Sequence, residues 1–236
     1  MTRLDNYLVE NSLCESRNKA QSVIKKGLVS VNGEPITKSS SQVRESDVVS
    51  IEAHKQYVSR AALKLLAFLE EIDIDAKERV ALDIGSSTGG FTQVLLERGV
   101  KEVSAVDVGV DQLHKSLRED SRVFVYESCD IRKFASDKAF DLVVSDVAFI
   151  SLLHILDDVE RLATQDIILL FKPQFEVGRE AKRDKNGVVV DKKAIANAIT
   201  RFEDACALKG WRLHKKMLAV LTGKEGNQEY CYYFCK

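Results

Sequence analysis

Asp83-Ile84-Gly85-Ser86-Ser87-Thr88-Gly89-Gly90-Phe91-Thr92 continues the apolar run 80–84 and leads into an amphipathic segment over 90–98. A strand that ends in a glycine-rich turn and resumes as a helix presents backbone N–H groups at the carboxyl end of a sheet, where α/β proteins hold a cofactor. The spacing here is G-x-x-x-G-G, whereas a dinucleotide fingerprint is G-x-G-x-x-G. Asp83 stands directly before the glycines, where a carboxylate would repel a pyrophosphate.

Outward from this turn, apolar runs alternate with amphipathic segments. The runs fall at 80–84, 103–106, 123–126, 142–144 and 167–171, with amphipathic stretches at 90–98, 110–118 and 151–163. A longer helix is predicted over 191–209, with Ala194, Ile195, Ala198, Ile199, Phe202, Ala205 and Cys206 on one face, Asp191 as N-cap and Gly210 at its end. Strands alternating with helices imply a parallel sheet covered on both faces. The tail differs: 211–221 and 230–234 read as strands joined by the turn-rich TGKEGNQ, a hairpin that would add an antiparallel strand. The expected fold class is α/β, a class I Rossmann-like methyltransferase layout with a parallel sheet and an antiparallel C-terminal strand.

Carboxylates recur at successive strand ends. Asp107 ends the second run, about 20 residues past the glycines, where an acidic group accepts hydrogen bonds from ribose hydroxyls. Asp130-Ile131 follows the third, where a carboxylate and the backbone would hold an adenine. With Asp83 facing an ammonium and a sulfonium, the set suits S-adenosylmethionine. Its cradle would be Gly85, Ser86, Ser87, Thr88, Gly89, Gly90 and Phe91, with Val108 beside Asp107 and Asp146 at the end of the fourth run. A nicotinamide dinucleotide is the alternative.

The chain has 236 residues, 45% hydrophobic and 30% charged, which suits an ordinary soluble protein of one large domain or of about 170 residues plus a small appendage. No apolar run approaches the roughly 18 residues that span a bilayer, and the charged N-terminus is not a signal peptide, so a cytoplasmic monomer without stable membrane association is expected. Cys14, Cys129, Cys206, Cys231 and Cys235 are scattered, with no Cys-x-x-Cys and no Cys/His cluster, so reduced thiols and no metal are expected.

The net charge is only −1, but Arg17, Lys19, Lys25, Lys26, Lys38 and Arg44 face a single acidic residue, Glu34, over 17–44. Such a local basic surface is the footprint of polyanion binding. It lies in a distinct first unit. Leu4, Leu8 and Val9 make a helical stripe, and Ser16 caps a second helix over 17–26 that Gly27 ends. A strand through Val29 and Val31 follows, then a tight turn at Asn32-Gly33 and a closing strand through Val48, Val49 and Ile51. The divisions expected are 1–53 for this unit, 54–62 for a linker and 63–236 for the larger domain.

Arg3-Leu4-Asp5, Leu8, Ser16-Arg17, Ala20, Ile24, Gly27, Val29, Val31, Asn32 and Gly33 together resemble the S4 RNA-binding domain, a small α+β fold. That resemblance implies that the second helix and following turn contact RNA phosphates, with Arg3 and Asn32 joining the six cations. Such contacts position a protein without reading sequence. In the larger unit, Lys64 in SRAALKL, Asp146 in SDVAF, Lys172 in LFKPQFE and Glu229 in GNQEY resemble the Lys-Asp-Lys-Glu set of FtsJ-type ribose 2′-O-methyltransferases. The whole combination, with DIGSSTGGFT and VDVG, resembles the TlyA family of rRNA cytidine 2′-O-methyltransferases, also catalogued as haemolysins.

The resemblance implies Lys172 as general base, Asp146 orienting it and the target hydroxyl, and Lys64 and Glu229 holding the ribose. It also implies a partner, ribosomal RNA in a ribosomal subunit; family members modify the large subunit alone or both subunits, and the short termini favour 23S over 16S. Arg60 before the first helix of the domain, and Arg179, Lys182 and Arg183 in the long stretch 173–190, are further RNA candidates, the latter as a mobile loop. The competing readings are a non-catalytic S4-type ribosome-assembly protein and a haemolysin acting on membranes.

Overall fold

The computed structural model describes residues 1–51 and 57–236. The chain divides into two units, Met1–Gln56 and Tyr57–Lys236. Part of the expected linker, 54–56, and the end of the expected first domain lie outside the described residues.

The first unit comprises β1 (Thr2–Arg3), α1 (Leu4–Glu10), α2 (Arg17–Lys25), β2 (Val29–Val31), β3 (Glu34–Pro35), β4 (Gln42–Val43) and β5 (Val49–Ile51). Ser16 caps α2 by accepting from the Lys19 amide at 3.3 Å. Asn32 and Gly33 both take positive φ, +53° and +87°, as a two-residue hairpin turn between β2 and β3 demands. Leu4, Leu8, Ala20, Val23, Ile24, Leu28, Val29 and Val43 form its core.

The second unit comprises α3 (Ala61–Glu70), β6 (Val80–Ile84), α4 (Gly90–Glu97), β7 (Glu102–Val106), α5 (Lys115–Arg118), β8 (Val123–Tyr126), β9 (Phe140–Ser145), α6 (Leu156–Leu162), β10 (Ala163–Phe171), α7 (Pro173–Glu176), α8 (Lys192–Leu208), β11 (Arg212–Leu218) and β12 (Tyr230–Cys235). The sheet order is β11-β12-β10-β9-β6-β7-β8, with β6 to β10 parallel and β12 antiparallel to both neighbours. Side chains alternate along each strand, so Leu82 and Val143 enter one core while Ala81, Leu142 and Val144 enter the other, one on each face. Phe202 of α8 packs its ring 5.2 Å from Phe171 and 5.1 Å from Tyr232, fixing that helix to the sheet.

Two predicted helices are shorter than their periodicity suggests. Of 110–118 only Lys115–Arg118 is helical, because Asp111 takes φ +51° and the amides of Asp111, Gln112 and Leu113 are bonded to Glu127. The segment 151–163 breaks into a 3₁₀ turn, Leu152–His154, and α6, with Ala163 already in β10. Here the Leu152 amide is taken by Glu176.

Candidate active site

The central strand β6 has β9 on one side and β7 on the other, the switch point at which open α/β sheets leave a crevice. Gly85 follows β6 at φ +80°, and a Cβ there would lie 3.1 Å from the Val147 backbone, so only glycine lets the loop after β9 pass over the turn. The crevice is a cavity of about 520 Å³ lined by Ile84, Val106, Ile131, Val147, Ile150 and Ile155, with Asp107 and Asp130 on its polar side. A second cavity of about 220 Å³ shares Gly85, Ser87, Asp146 and Ala148 with it, and reaches Ser86, Thr88, Gly90, Phe91 and Lys172. These volumes suit a small-molecule site.

Of the residues predicted for the cofactor, Gly85, Ser86, Ser87, Thr88, Gly90, Phe91, Asp107, Val108, Asp130, Ile131 and Asp146 line one cavity or the other. Gly89 instead caps α4 at φ +94°. Asp83 lines neither cavity; it is fully buried and accepts from Thr92 Oγ1 at 2.6 Å. Burial pushes its carboxyl up to about 7, against the Thr92 hydrogen bond and with help from the negative charge of Asp146. Asp107 accepts from the amides of Ser87 and Gly109, both at 2.7 Å, which ties the glycine-rich turn to the end of β7. Asp130 pairs with Arg132, whose hydrogen bonds hold the carboxyl down at about 2.

The predicted cofactor set did not include Gln112, Cys129, Arg132 or the run 147–150, all of which line the larger cavity, although Val147, Ala148 and Phe149 stand in the SDVAF motif quoted for Asp146. Cys129 and Arg132 flank Asp130, and 147–150 follow Asp146. An acidic motif marks where a loop leaves its strand, and the loop then carries further side chains over the crevice. Phe149 is the extreme case, 92% exposed and at φ +64°.

The four candidate catalytic residues form two ion pairs. Lys172, at the end of β10, meets Asp146 Oδ1 at 2.5 Å. Lys64, on α3, meets Glu229 Oε2 at 2.5 Å, with both side chains buried. Burial pushes the Asp146 carboxyl up, while Lys172 and, more weakly, Lys64 pull it back and Glu229 opposes them. The Asp146 carboxyl thus feels the charges of the other three. A carboxylate beside a lysine amine at the edge of the crevice is equipped to orient a hydroxyl and to let the amine accept its proton.

In the first unit Lys19, Lys25, Lys26, Lys38 and Arg44 are exposed. Arg3 and Arg17 both bond the buried Asp5 at 3.0 Å. Both polar ends of the Asn32 side chain are engaged, with Asp47 and with the Val48 amide. In the second unit Arg60 donates to the Thr222 carbonyl and Arg183 to that of Gln174, while Arg179 and Lys182 are exposed. Within the stretch 173–190 Arg183 bridges Val189, and the buried Val189 amide donates to Asn227 Oδ1 outside it at 2.9 Å. Among the described residues, no His, Cys, Asp or Glu cluster could hold a metal ion and no helix is long and apolar enough to cross a membrane.

The FtsJ-like methyltransferase model matches residues 57–236, and the S4 domain model matches residues 2–49. A Campylobacter jejuni protein named 23S rRNA (cytidine-2′-O)-methyltransferase TlyA is 44% identical, covering 98% of this chain and 98% of its own. The chain belongs to the TlyA family of FtsJ-like methyltransferases.

A second TlyA relative, the Mycobacterium tuberculosis protein named 16S/23S rRNA (cytidine-2′-O)-methyltransferase, is 38% identical over 97% of this chain and 87% of its own. A solved Streptococcus thermophilus structure that carries a hemolysin name is 31% identical, with a TM-score of 0.72, covering 100% of this chain and 88% of that one. Magnesium protoporphyrin IX methyltransferase from Synechocystis, solved with bound SAH, shares the fold at 13% identity and a TM-score of 0.55, over 75% of this chain and 82% of its own. The TlyA-family chain thus joins an S4 domain to a methyltransferase fold.

Proposed function

We propose that this chain transfers a methyl group from S-adenosylmethionine to the 2′-hydroxyl of a cytidine in ribosomal RNA, with the 23S rRNA of the large subunit favoured as substrate. The observation that carries the reading is the Lys172–Asp146 pair, 2.5 Å apart, at the end of the cavity that begins at the glycine-rich turn.

The cavity residues fit the cofactor. An apolar slot with Asp130 at its rim suits adenine, Asp107 suits the ribose, and the run 85–91 with buried Asp83 behind it suits the cationic methionine end. When bound there, S-adenosylmethionine supplies an electrophilic methyl group on a sulfonium. The protein's own part is to orient and deprotonate. Lys172, in its neutral form, takes the proton of the ribose hydroxyl at Nζ, Asp146 orients both, and Lys64 with Glu229 completes the network around the ribose. Orientation of this kind supplies much of a rate enhancement. Phe149 presents an exposed aromatic face at the cavity mouth, suited to a base turned out of its helix.

The cations of the S4 unit, Lys19, Lys25, Lys26, Lys38 and Arg44 with the outer edges of Arg3 and Arg17, dock the RNA through phosphates. Arg60, Arg179, Lys182 and Arg183 serve the same end on the second unit. The relatives differ in named target, 23S alone in one and 16S with 23S in the other, and the higher identity is to the former.

Tritium transfer from labelled S-adenosylmethionine to free subunits and intact ribosomes lacking the modification tests the reading. Label is expected in an alkali-resistant dinucleotide from 23S rRNA, falling ~10²–10⁴-fold in Lys172→Ala. No transfer to any ribosomal substrate, with cofactor binding intact, would sink it.

A further inference from the structure

The loop 146–151 carries Asp146 at one end and reaches Phe149 over the cavity mouth. Phe149 sits in the left-handed region at φ +64°, a conformation that is strained for an ordinary residue and persists only where the surroundings enforce it. The exposed ring contributes little burial to offset that cost. Something must hold the loop from its ends. At its start the Asp146 amide donates to the Ile84 carbonyl at 3.1 Å. At its far end both restraints come from one side chain: Ser151 Oγ donates to Glu176 Oε2 at 2.5 Å, and the Leu152 amide donates to Glu176 Oε1 at 2.8 Å.

Glu176 is only 4% exposed, and it belongs to α7, the helix that begins directly after Lys172. Phe175, on the same turn, sets its ring 5.3 Å from Phe149. Arg201 of α8 donates to the Glu176 carbonyl at 2.6 Å and so fixes the helix from behind. A carboxylate in this position is costly. Burial pushes it up, and Ser151, the Leu152 amide, Arg201 and His154 pull it back. Glu176 lines neither cavity at the proposed site, so its bonds to the loop are what its burial secures.

We propose that Glu176 is a positioning residue: it clamps the loop 146–151 against α7, so that Asp146 and the strained Phe149 keep register with Lys172. The effect on catalysis rests on the methyltransferase reading above, whereas the clamp itself does not. The two loops that carry the proposed base and its orienting carboxylate belong to different strands, and this carboxylate joins them beyond the Lys172–Asp146 pair itself. A displacement of about 1 Å at such a site costs up to ~10²-fold in rate.

The test uses the full chain with Glu176→Ala, Glu176→Gln and Ser151→Ala. Three quantities are read: amide exchange peptide by peptide, S-adenosylhomocysteine binding, and kcat and KM on ribosomal substrate. In Glu176→Ala, exchange over 147–152 should rise ~10-fold or more while β6, β9 and β10 stay protected. Its kcat should fall ~10- to 100-fold with KM for RNA little changed. Glutamine can still accept from the Leu152 amide and should restore part of both, and Ser151→Ala, which leaves Glu176 in place, should fall between. Unchanged exchange over 147–152, or acceleration spread equally over the sheet strands, overturns the proposal. Local acceleration in a protein whose wild type methylates no ribosomal substrate leaves the clamp standing and removes the enzymatic reading.

Discussion

Lys64 Nζ lies 2.5 Å from Glu229 Oε2, the two residues 165 positions apart in sequence and both nearly closed to solvent. The pair pins the approach to β12 onto α3. Removing one member of a buried pair strands the other charge and costs about 3–5 kcal/mol, whereas removing both is far less harmful. Lys64→Met and Glu229→Gln should therefore each lower the denaturation midpoint, and the double variant should recover most of the loss. None of the three should methylate RNA, since stability and chemistry separate at this pair. Equal destabilisation in single and double variants would show that the pair has no structural weight.

Asp83 gives the molecule a pH dependence of definite sign. Its folded carboxyl is pushed up to about 7 from an ordinary 3.8. Between those values the folded state holds a proton that the unfolded chain has released, so stability falls as pH rises from about 4 to 7, by at most ~4 kcal/mol. Asp83→Asn should flatten this slope and raise the unfolding temperature of the ligand-free protein at pH 8. A cationic cofactor nearby would favour the carboxylate, so S-adenosylmethionine binding at pH 7 should release up to one proton per molecule in the wild type and none in Asp83→Asn. Calorimetry in two buffers of different ionisation enthalpy measures it, and an identical heat in both would remove Asp83 from cofactor binding.

The elements that side-chain burial dictates were legible in the sequence. The apolar runs from 80–84 to 167–171 became β6 to β10, and the helix over 191–209 became α8 with its Asp191 cap. The aspartates at strand ends, 107, 130 and 146, line the crevice for the same reason: a strand end is fixed once the strand is. What stayed hidden is the placing of backbone amides by distant carboxylates. Glu127 unmakes the first half of a helix that the pattern over 110–118 suggests, and Glu176 breaks the one over 151–163. Periodicity records which side chains are buried, and it carries no record of which N–H groups a residue from another segment will take. The resemblance set Asp146 beside Lys172, but the direct ion pair of Lys64 with Glu229 was not legible, because four charges at one place allow more than one arrangement.

Asp5 organises the arginines proposed to meet RNA. Its carboxylate is fully buried and accepts from Arg3, Arg17 and Gln21, all at 3.0 Å. The Arg3 hydrogen bonds, with those of Gln21 and Arg17, hold the carboxyl well below the usual carboxylate range. A depressed carboxyl contributes stability that is complete above its ordinary value near 3.8 and is lost as pH falls below it. Unfolding of the first unit should therefore steepen below pH 4 in the wild type and much less in Asp5→Asn. At neutral pH that variant should be destabilised by ~1–3 kcal/mol. Its RNA affinity should drop while S-adenosylhomocysteine binding holds, since Arg3 and Arg17 lose their common anchor. Unchanged RNA affinity would mean that the two arginines are held for folding alone.

Glu127 does for the cofactor cleft what Asp5 does for the arginines. Its carboxylate accepts from the amides of Asp111, Gln112 and Leu113 at 2.9, 2.9 and 3.0 Å and from Arg118 at 2.8 Å. Arg118 first, then these amides, hold the carboxyl down at about 2. The turn so formed lays the Gln112 side chain across Gly109, where a Cβ would lie 2.0 Å from Nε2, and presents Gln112 and Val108 to the cavity beside Asp107. Glu127→Ala should free three amides and weaken S-adenosylhomocysteine binding ~10-fold, about 1.4 kcal/mol. Gly109→Ala should act in the same direction, by displacing Gln112. Because the carboxyl stays ionised far below neutrality, the affinity gap between Glu127→Ala and the wild type should stay constant from pH 5 to pH 8. A gap that closes as pH falls within that range would mean that another group carries the effect, and equal affinities throughout would leave the turn without a part in cofactor binding.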